Sequence, residues 1–597
     1  MSTKHYFPET AANTLVPRAL RALVTANSHL ILDEPNRVVA NSTQDDSTVS
    51  IVSGGGSGHE PAWSGFVGDN LLSAAACGDI FASPSTKQVL AAMKLAPSKK
   101  GTILLITNYT GDRLHFGLAA ERAKASGLGS NVCVIAATDD VSIGRSKCSR
   151  VGRRGLPGHI VTMKILSSAA AQGWEFDRCV ELGRAVNDQT VSIGSSLDHC
   201  HVPGRQHQSI DANSCVIGAG IHNEPGQQVL SPIPSVEDVI SRCLAMLCDP
   251  IDTERAFVQF QASDEVVMVI NNYGGLSTLE LGALTDEVQK QLSATYSIKP
   301  CRSMVGTFET SLNAPGFSIS LCNLSAVERQ SGVNTAELLE LFHLPSTAIS
   351  WPNMVNQGPN TARPDVKAQE TEDANVEAAE SLVAVETSLL ERAVREACIA
   401  AIASEPQLTK WDMIMGDGDC GEAVKTLCES ILAGLEAGWA SSGSILAFLT
   451  ALNAAVDDMG GTLGAIFGIL LSAFQFAIRS KAAEYQANDA KLYASALSSA
   501  LEVLLSYTPA REGDRTVMDV MIPFSKAFSE TSSFSAAVDV AGQKAKATSL
   551  LKPRLGRASY VGEAANQEVP DPGAWAFYEM VHGFSEGLGL DIKRIEQ

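Results

Sequence analysis

A polar, acidic segment at residues 354–384 divides the 597-residue chain, and this division most constrains how the chain can fold. The segment is rich in Asn, Gln, Glu and Pro and has few bulky apolar residues. Such a composition cannot bury enough apolar surface to order itself, which is typical of a linker. Strand-like runs alternate with helical stretches before the segment and almost disappear after it. We therefore predict an α/β domain at residues 1–353, a flexible acidic linker at 354–384, and an all-α domain at 385–597.

The pattern at residues 101–136 predicts a strand–helix–strand unit with a parallel pair of strands. An apolar run at 101–107 precedes a helical stretch at 114–126, and a second apolar run follows at 132–136. Asp112 follows the first run, at the edge where α/β sheets bind ligands. Asp112 is therefore either a ligand-binding residue or the N-cap of the helix.

A glycine-rich loop, Ser53–Pro61, follows the short strand-like run Val49–Val52. No Gly-Lys-Ser/Thr follows these glycines, so the loop is not a Walker phosphate loop. It offers backbone N–H groups and one imidazole, that of His59. The loop is either a ligand site or a flexible turn.

A second α/β lobe is predicted after about residue 200. The strand-like run at 214–218 leads into a glycine-containing loop that carries His222, and the run at 266–270 again precedes a turn and a helix. The imidazole of His222 is either a nucleophile or general base, or a turn histidine in solvent.

Two adjacent arginines, Arg153 and Arg154, precede a predicted helix that extends to about Gln172. A pair of guanidinium groups suits phosphate, but it equally suits a salt bridge between domains. Both interpretations stay open from the sequence.

Three aspartates and three glycines fall within Trp411–Gly421. Asp412, Asp417 and Asp419 repel one another unless a cation lies between them, and Mg²⁺ prefers carboxylates together with phosphate oxygens. An EF-hand is excluded because its twelfth position is Cys428 instead of glutamate. A metal–phosphate loop and a solvated turn remain.

Other special loops precede helical stretches in the all-α region, where N–H groups and the helix dipole suit phosphate. Each is either such a site or a plain helix cap. They lie at 458–464, 513–519, 556–560 and 570–574.

The charge and cysteine content exclude several classes of protein. A net charge of −21 argues against a nucleic-acid or anionic-membrane partner. The 13 cysteines form no CxxC pair, which indicates reduced thiols and a cytoplasmic protein. The apolar stretch 463–478 is too short to span a bilayer, so we expect a buried helix there.

Taken together, these motifs resemble the dihydroxyacetone kinase (glycerone kinase, triokinase) family of the single-chain, two-domain type. The resemblance covers about residues 8–590. The matching strings are Gly-Gly-Gly-Ser-Gly-His-Glu-Pro, Asn-Tyr-Thr-Gly-Asp, Gly-Ile-His-x-Glu-Pro-Gly, Gly-Asp-Gly-Asp-Cys-Gly, Gly-Asp-Arg-Thr, Gly-Arg-Ala-Ser-Tyr and Pro-Asp-Pro-Gly-Ala.

The resemblance implies a two-lobed α/β kinase domain that binds a triose, followed by a helical-barrel domain that binds Mg²⁺ and ATP. It implies a homodimer formed through the triose-binding domain, a cytoplasmic location and a role in glycerol metabolism. By motif match, His222 captures the substrate ketone as a covalent hemiaminal, and His59 and Asp112 exchange protons. The residues expected around the triose are Gly56, Ser57, Gly58, His59, Thr107 and Asp112.

The resemblance also assigns the second domain. Asp412, Asp417 and Asp419 match the Mg²⁺ ligands, and Arg515 is the candidate positive charge near the transferred phosphate. The residues expected at the nucleotide are Asp417, Gly418, Asp419, Cys420, Thr462, Leu463, Thr508, Arg515, Thr516, Val517, Asp571, Pro572 and Gly573. Three positions depart from the family pattern: Thr107 replaces a common lysine, Glu422 a small Ser or Thr, and Thr508 a glycine.

Three functions are consistent with this resemblance. The first is phosphorylation of dihydroxyacetone, with D-glyceraldehyde as a second substrate. The second is cyclisation of FAD at the metal–nucleotide site (an FAD-AMP lyase activity). The third is a non-catalytic triose-binding regulator, which we disfavour because His222 and the aspartates are all present.

Overall fold

The computed structural model describes residues 6–7, 12–129, 131–148, 152–205, 209–353, 383–415, 418–482, 484–555, 568–590, 592 and 594–595. Internal contacts divide the chain into two compact units, residues 1–364 and 365–597. Every described strand lies in the first unit, and the described part of the second unit is helical. The predicted order of an α/β region and a helical region is confirmed.

The first sheet of unit 1 has six strands, in the spatial order β1, β2, β4, β3, β5 and β6. The last four strands in that order are parallel. All six residues of β5 are buried, as expected for a strand covered on both faces. The elements of this part are α1 (Ala12–Ala26), β1 (Leu30–Asp33), β2 (Val38–Asn41), β3 (Ser50–Ser57), β4 (Ala74–Ile80), α2 (Thr86–Leu95), β5 (Thr102–Thr107), α3 (Thr110–Ala125) and β6 (Val132–Ala137).

The second sheet also has six strands, in the order β11, β10, β12, β7, β8 and β9. Only β10 and β11 are parallel, and the other neighbours are antiparallel. Its elements are α4 (His159–Ala171), α5 (Phe176–Asp188), β7 (Thr190–Ser196), β8 (Cys215–Ile217), β9 (Gln228–Leu230), α6 (Val236–Cys248), β10 (Val266–Asn272), α7 (Thr278–Tyr296), β11 (Arg302–Gly306), β12 (Gly316–Asn323), α8 (Leu324–Ser331) and α9 (Thr335–His343).

Unit 1 is layered. Helices α2 and α3 cover the outer face of the first sheet, and α6 and α7 cover the outer face of the second. A shared core between the sheets contains α4, α5, α8 and α9. His59 and His222 lie in loops at the carboxyl ends of β3 and β8, and Asp112 lies in the first turn of α3, which follows β5. Both sheets therefore contribute to one site.

Unit 2 contains eight helices among its described residues, and each packs against the next in the chain. The last packs against the first, so the contacts form a closed cycle. The helices are α10 (Thr387–Met415), α11 (Cys420–Glu436), α12 (Ile445–Asp457), α13 (Gly461–Lys481), α14 (Ala490–Tyr507), α15 (Met518–Thr531), α16 (Phe534–Ala547) and α17 (Pro572–Gly587).

Helix α13 is, among the described helices, the one that is long and apolar enough to cross a membrane. Buried residues make up 28% of its most apolar stretch. It packs against α12 and α14 within unit 2.

Residues 354–382 of the predicted linker lie outside the described residues. Val383 is buried in a hydrophobic cluster of unit 2, and its carbonyl oxygen accepts a hydrogen bond from the Ile445 N–H at 3.0 Å. The last two residues of the predicted linker, Val383 and Ala384, therefore belong to the helical unit.

Two element boundaries differ from the sequence prediction. Strand β3 continues through the glycines to Ser57, because Gly54 and Gly55 pair with residues of β4. Neighbouring residues lie where β-carbons on these glycines would be. Helix α3 begins at Thr110, four residues early, and Tyr109 is its N-cap. Asp112 therefore lies in the first helical turn, and its interpretation as the N-cap is wrong.

Candidate active site

Two histidines that follow strands of different sheets meet in unit 1. The Nε2 atoms of His59 and His222 lie 3.0 Å apart, and the ring planes are nearly perpendicular, at 85°. His59 is fully buried, whereas 23% of the His222 side chain is exposed. His222 is therefore the ring that a small molecule can reach.

The backbone of the segment before β12 orients His59. Its Nδ1 lies 2.6 Å from the carbonyl oxygen of Thr310, and a carbonyl only accepts hydrogen bonds. Nδ1 therefore carries the hydrogen, and Nε2 presents a lone pair towards His222. Burial, with the neighbouring His222, lowers the pKa of His59 to about 3, so the resting ring is neutral.

Phe81 and Ala82 require glycine at two of the positions expected around the triose, because they leave no room for a side chain there. A β-carbon on Gly56 would come within 2.7 Å of the Ala82 nitrogen, and one on Gly58 within 2.8 Å of the Phe81 ring. Gly58 also has a φ of +100°, which side-chain-bearing residues rarely adopt. Between these glycines, the Ser57 hydroxyl donates to the carbonyl oxygen of Gly78 at 2.9 Å.

Aromatic rings enclose the two histidines. Phe81 stacks on His59 and meets His222 edge-on, and Tyr109 lies edge-on to His222 with ring centroids 4.5 Å apart. Sequence reasoning missed both as site residues. Tyr109 stands within the Asn-Tyr-Thr-Gly-Asp string, so a signal was available there.

Asp112 lies close enough to His222 for their charges to interact. It is 4% exposed, and its Oδ1 has no hydrogen-bond partner. Burial raises its pKa to about 6, although the Ser83 hydroxyl and His222 oppose this shift. Thr107 ends β5 in a buried position.

A partly buried chain of ion pairs also reaches His222. Arg154 Nε lies 2.8 Å from Asp140 Oδ2, and Arg154 Nη1 lies 3.6 Å from Glu224 Oε1. Glu224 Oε2 accepts the His222 backbone N–H at 2.7 Å, while Oε1 lies 3.6 Å from His222 Nδ1. The observed partners of Arg154 thus lie in its own unit, which sequence reasoning did not foresee.

The acidic loop of unit 2 joins α10 to α11. Asp412 lies in the last turn of α10, and its Oδ2 accepts the Cys420 N–H at 3.0 Å. Asp419 is the N-cap residue of α11, and its side chain makes no cap hydrogen bond. Asp417 lies outside the described residues, among which no three His, Cys, Asp or Glu side chains converge as metal ligands.

Four helix N-termini converge near this loop. Burial, together with the charges of Asp412, Asp571 and Asp419, raises the pKa of the Cys420 thiol. Because Cys420 begins α11 and Asp571 caps α17, the starts of these two helices lie close together. A β-carbon on Gly573 would contact Leu463 of α13 and Val517 at the start of α15. Thr462 is exposed in the first turn of α13. Burial, opposed by the Ala574 N–H, raises the pKa of Asp571, the N-cap of α17, to about 7.

The Gly-Asp-Arg-Thr loop is ordered by Asp519, which sequence reasoning missed. Asp519 accepts the N–H groups of Gly513 at 2.6 Å and Thr516 at 2.8 Å. The Arg515 guanidinium donates to the carbonyl oxygens of Leu551 and Val569, and 2% of Arg515 is exposed.

The remaining predicted nucleotide residues have simple placements. Pro572 occupies the first turn of α17. Gly418 has a φ of +86° and is the first residue of the described range that begins at 418. Thr508 caps the end of α14, and its hydroxyl accepts the Ala510 N–H at 3.2 Å. The Gly-Arg-Ala-Ser-Tyr string at 556–560 lies outside the described residues.

Comparison with protein families gives two matches. A "Dak1 domain" matches residues 21–349, and a "DAK2 domain" matches residues 414–586. The two matches fall one in each compact unit, on either side of the predicted linker.

Several relatives match nearly the whole chain. The chain is 38% identical to a dihydroxyacetone kinase of Pichia angusta, over 98% of each chain. It is 32% identical to the triokinase/FMN cyclase of Mus musculus, over 94% of each chain. The dihydroxyacetone kinase of C. freundii, solved in complex with AMP-PNP and Mg²⁺, aligns with a TM-score of 0.61 at 26% identity, covering 98% of this chain and all of that one.

Proposed function

The chain belongs to the dihydroxyacetone kinase family and is a kinase, and on this basis we propose that it transfers the γ-phosphate of ATP to dihydroxyacetone. The product is dihydroxyacetone phosphate. We extend the proposal to D-glyceraldehyde, since relatives named triokinase match nearly the whole chain. The observation that carries the proposal is the His59–His222 pair, whose Nε2 atoms lie 3.0 Å apart beside a buried carboxyl group.

The substrate is held as a hemiaminal on His222. A triose has few heavy atoms, which limits what non-covalent contacts contribute to its binding. The Nε2 lone pair of His222 forms a bond to the carbonyl carbon, and the carbonyl oxygen becomes a hydroxyl. That oxygen gains its proton from solvent through His59, whose Nε2 lone pair takes up a proton and passes it on, and the positive charge stays on the alkylated His222 ring. Glycerol has no carbonyl group, so this step excludes it.

Asp112 is the proposed general base for the hydroxyl that receives phosphate. Because its pKa is raised to about 6, the carboxylate predominates at neutral pH while keeping a basicity suited to proton transfer. Gly56, Ser57, Gly58 and Thr107 would form the backbone and hydroxyl surface around the bound triose.

Residues of unit 2 would hold Mg²⁺ and ATP. The crowded carboxylates Asp412, Asp419 and Asp571, together with uncapped N–H groups at the starts of α11 and α13, fit a cation with bound phosphates. When bound, Mg²⁺ neutralises charge on the phosphates that transfer involves. Asp412 and Asp419, with Asp417, would be the metal ligands. The nucleotide would lie on Gly418, Cys420, Thr462, Leu463, Thr508, Thr516, Val517, Asp571, Pro572 and Gly573.

Arg515 remains the proposed positive charge of the nucleotide site. Its guanidinium is tied to two backbone carbonyl oxygens, so its charge would act from a fixed position. The closed cycle of helix contacts supports a helical barrel as the architecture of unit 2.

We propose a cytoplasmic homodimer formed through the triose-binding unit, with a role in glycerol metabolism. Helix α13 would then be a helix of the nucleotide-binding unit rather than a membrane anchor, since it packs between α12 and α14. Light scattering after size-exclusion chromatography of the full chain, and of a version ending at residue 353, tests the dimer and its location.

Intact-protein mass spectrometry tests the main proposal. Incubation with dihydroxyacetone should add the mass of one triose, and addition of ATP and Mg²⁺ should remove it and release dihydroxyacetone phosphate. A protein that gains no triose, or that keeps it in the presence of ATP and Mg²⁺, would refute the proposal.

Cyclisation of FAD is a second candidate activity, favoured by the relatives named triokinase/FMN cyclase. It would use the metal–nucleotide residues of unit 2 without the histidine pair. An assay with FAD and Mn²⁺ on the His222→Ala variant separates the two activities, because only the kinase activity needs the adduct. A non-catalytic regulator would bind the triose and leave ATP unchanged in both assays.

A further inference from the structure

The ring hydrogen of neutral His222 has two competing positions. His59 presents an Nε2 lone pair at 3.0 Å, which favours a hydrogen on His222 Nε2. Glu224 presents a carboxylate oxygen 3.6 Å from the other ring nitrogen. This separation is longer than a hydrogen bond, but the negative charge there favours a hydrogen on Nδ1. Only the second arrangement leaves Nε2 free to attack a carbonyl carbon. The neighbour of Nδ1 therefore decides whether the ring is a nucleophile.

The Glu224 carboxylate is fixed at both oxygens. Oε2 accepts the backbone N–H of His222 at 2.7 Å, and Oε1 faces Arg154 Nη1 and His222 Nδ1. Burial alone would raise its pKa, but hydrogen bonds and charge from His222, with the Arg154 cation, lower the pKa to about 2. Glu224 is therefore an ionised, acceptor-only group towards Nδ1.

Arg154 is itself fixed by the fold. Its Nε pairs with Asp140, which is fully buried, and its Nη2 donates to the Ser142 hydroxyl and the Gly218 carbonyl oxygen. A β-carbon on Gly220 would collide with both the Glu224 carboxylate and the Arg154 guanidinium. The loop that carries His222 is thus shaped around this ion pair.

We propose that Glu224, held ionised and in place by Arg154, retains the hydrogen of His222 on Nδ1 and thereby makes Nε2 the nucleophile. This inference rests on the proposed hemiaminal chemistry. Glu224 and Arg154 are positioning residues, since they act through His222. The same carboxylate offsets the positive charge that the imidazole acquires when a ring with hydrogen on Nδ1 bonds to carbon through Nε2.

The charged and titratable groups around His222 and Glu224 come from several elements. They are His59 after β3, Tyr109 and Asp112 at the start of α3, Asp140 after β6, and Arg154 before α4. The variants below change Glu224 and Arg154 alone and leave the other groups in place.

The Glu224→Gln variant is the sharpest test. Glutamine has one oxygen, which would keep the backbone N–H of His222, and its NH₂ group would then face Nδ1. A donor in that position requires a lone pair on Nδ1, so the hydrogen moves to Nε2. Glu237→Gln, at an exposed position in the first turn of α6, is the matched control.

Imidazole ¹⁵N NMR of histidine-labelled free protein, with the His222 signals identified from His222→Ala, reads the tautomer without substrate. The neutral ring should carry its hydrogen on Nδ1 in the unsubstituted protein and in Glu237→Gln, and on Nε2 in Glu224→Gln. Triose adduct formation should slow at least roughly a hundredfold in Glu224→Gln. An unchanged tautomer in folded Glu224→Gln protein would overturn the inference.

Arg154 supplies a second test with a defined sign. Removing its cation in Arg154→Gln raises the pH at which Glu224 takes up a proton, because that cation lowers the pKa of Glu224. On acidification, adduct formation should therefore be lost at a higher pH than in the unsubstituted protein. Arg154→Lys keeps the charge and should show the pH dependence of adduct formation of the unsubstituted protein. Arg242→Gln removes an exposed charge on α6 and should also leave that pH dependence unchanged.

A pH profile of Arg154→Gln that matches the unsubstituted protein, with melting temperatures also equal, would overturn the role of Arg154. If the unsubstituted protein forms no triose adduct at all, the proposed function fails. The NMR tautomers would still decide the role of Glu224 in that case.

Discussion

Phe81 stacks on His59, with ring centroids 5.0 Å apart and ring planes inclined by 16°. An aromatic face stabilises a cation above it by about 0.5–1 kcal/mol at exposed sites and more where water is excluded. His59 holds a positive charge only briefly during proton exchange, since its pKa is lowered to about 3. Phe81 is therefore placed to stabilise that transient imidazolium.

Replacing Phe81 by leucine should slow triose adduct formation roughly two- to tenfold, because the cation loses its aromatic face. Nucleotide affinity should stay unchanged, since Phe81 lies in the other unit. Stopped-flow mixing with dihydroxyacetone, followed by rapid quench and intact-mass analysis, gives the rate. Phe81→Tyr keeps the face and should retain the original rate; an equal loss in both variants would contradict the cation–π account.

The two ligand sites should be separable by mutation. His222→Ala should abolish the triose adduct and leave ATP affinity unchanged. Asp412→Ala should weaken Mg²⁺–ATP binding at least tenfold while the adduct still forms. Calorimetric titration of each variant with each ligand checks this. Loss of both ligands in either single variant would show that the sites are not independent.

Asp112 should set the acidic limb of the pH–rate profile. Its pKa is raised to about 6, so the carboxylate takes up a proton as pH falls through 6 and can no longer accept one from the substrate. Asp112→Asn should lower kcat by about 10²–10⁴-fold and remove that limb. Steady-state kinetics between pH 5 and pH 8 would show this; an unmoved acidic limb in the variant would exclude Asp112 as its origin.

The same carboxyl group should affect stability. A carboxyl whose folded pKa is raised binds its proton more tightly in the folded protein, so this contribution is full below the unfolded pKa of about 3.9 and is lost as pH rises through 6. Asp112→Asn should therefore stabilise the protein by about 3 kcal/mol above pH 6. The gain should vanish near pH 4, as measured by urea unfolding at both pH values.

Gly220 should tolerate no side chain. Gly220→Ala would place a methyl group against Glu224 and Arg154, so we expect the triose adduct to fall at least tenfold and the protein to lose about 1–3 kcal/mol of stability. Gly282→Ala, in the open interior of α7, is the matched control and should gain about 0.5–1 kcal/mol. Thermal unfolding with adduct mass analysis compares the two; equal behaviour would refute the steric argument.

Sequence periodicity was a good guide wherever an element is covered by neighbours along its whole length. The apolar run that predicts β5 matches Thr102–Thr107 almost residue for residue, because burial on both faces requires continuous apolar residues. Glycines were a weaker guide. Gly54, Gly55 and Gly56 belong to β3. Glycine is required there because Ala76, Trp63 and Ala82 occupy the space of a β-carbon, and these neighbours follow only from tertiary packing.

Some site residues could be identified from the sequence and others could not. His222 and His59 stood out because an imidazole within a glycine loop is unusual, and the structure places them together. Arg154 carried no such signal, as its partners Asp140 and Glu224 lie 14 and 70 positions away in the chain. Long-range ion pairs leave no local pattern, so the link between Arg154 and His222 could be found only from coordinates.

The oxygen that orients His59 belongs to the main chain of Thr310. Every amino acid supplies that oxygen, so no codon change at position 310 deletes it. Substitution of the side chain at position 310 would leave the hydrogen of His59 on Nδ1. By contrast, His222 depends on a carboxylate that one nucleotide change converts to an amide or an aliphatic group, so inactivating variants of this kinase should accumulate around the second histidine rather than the first.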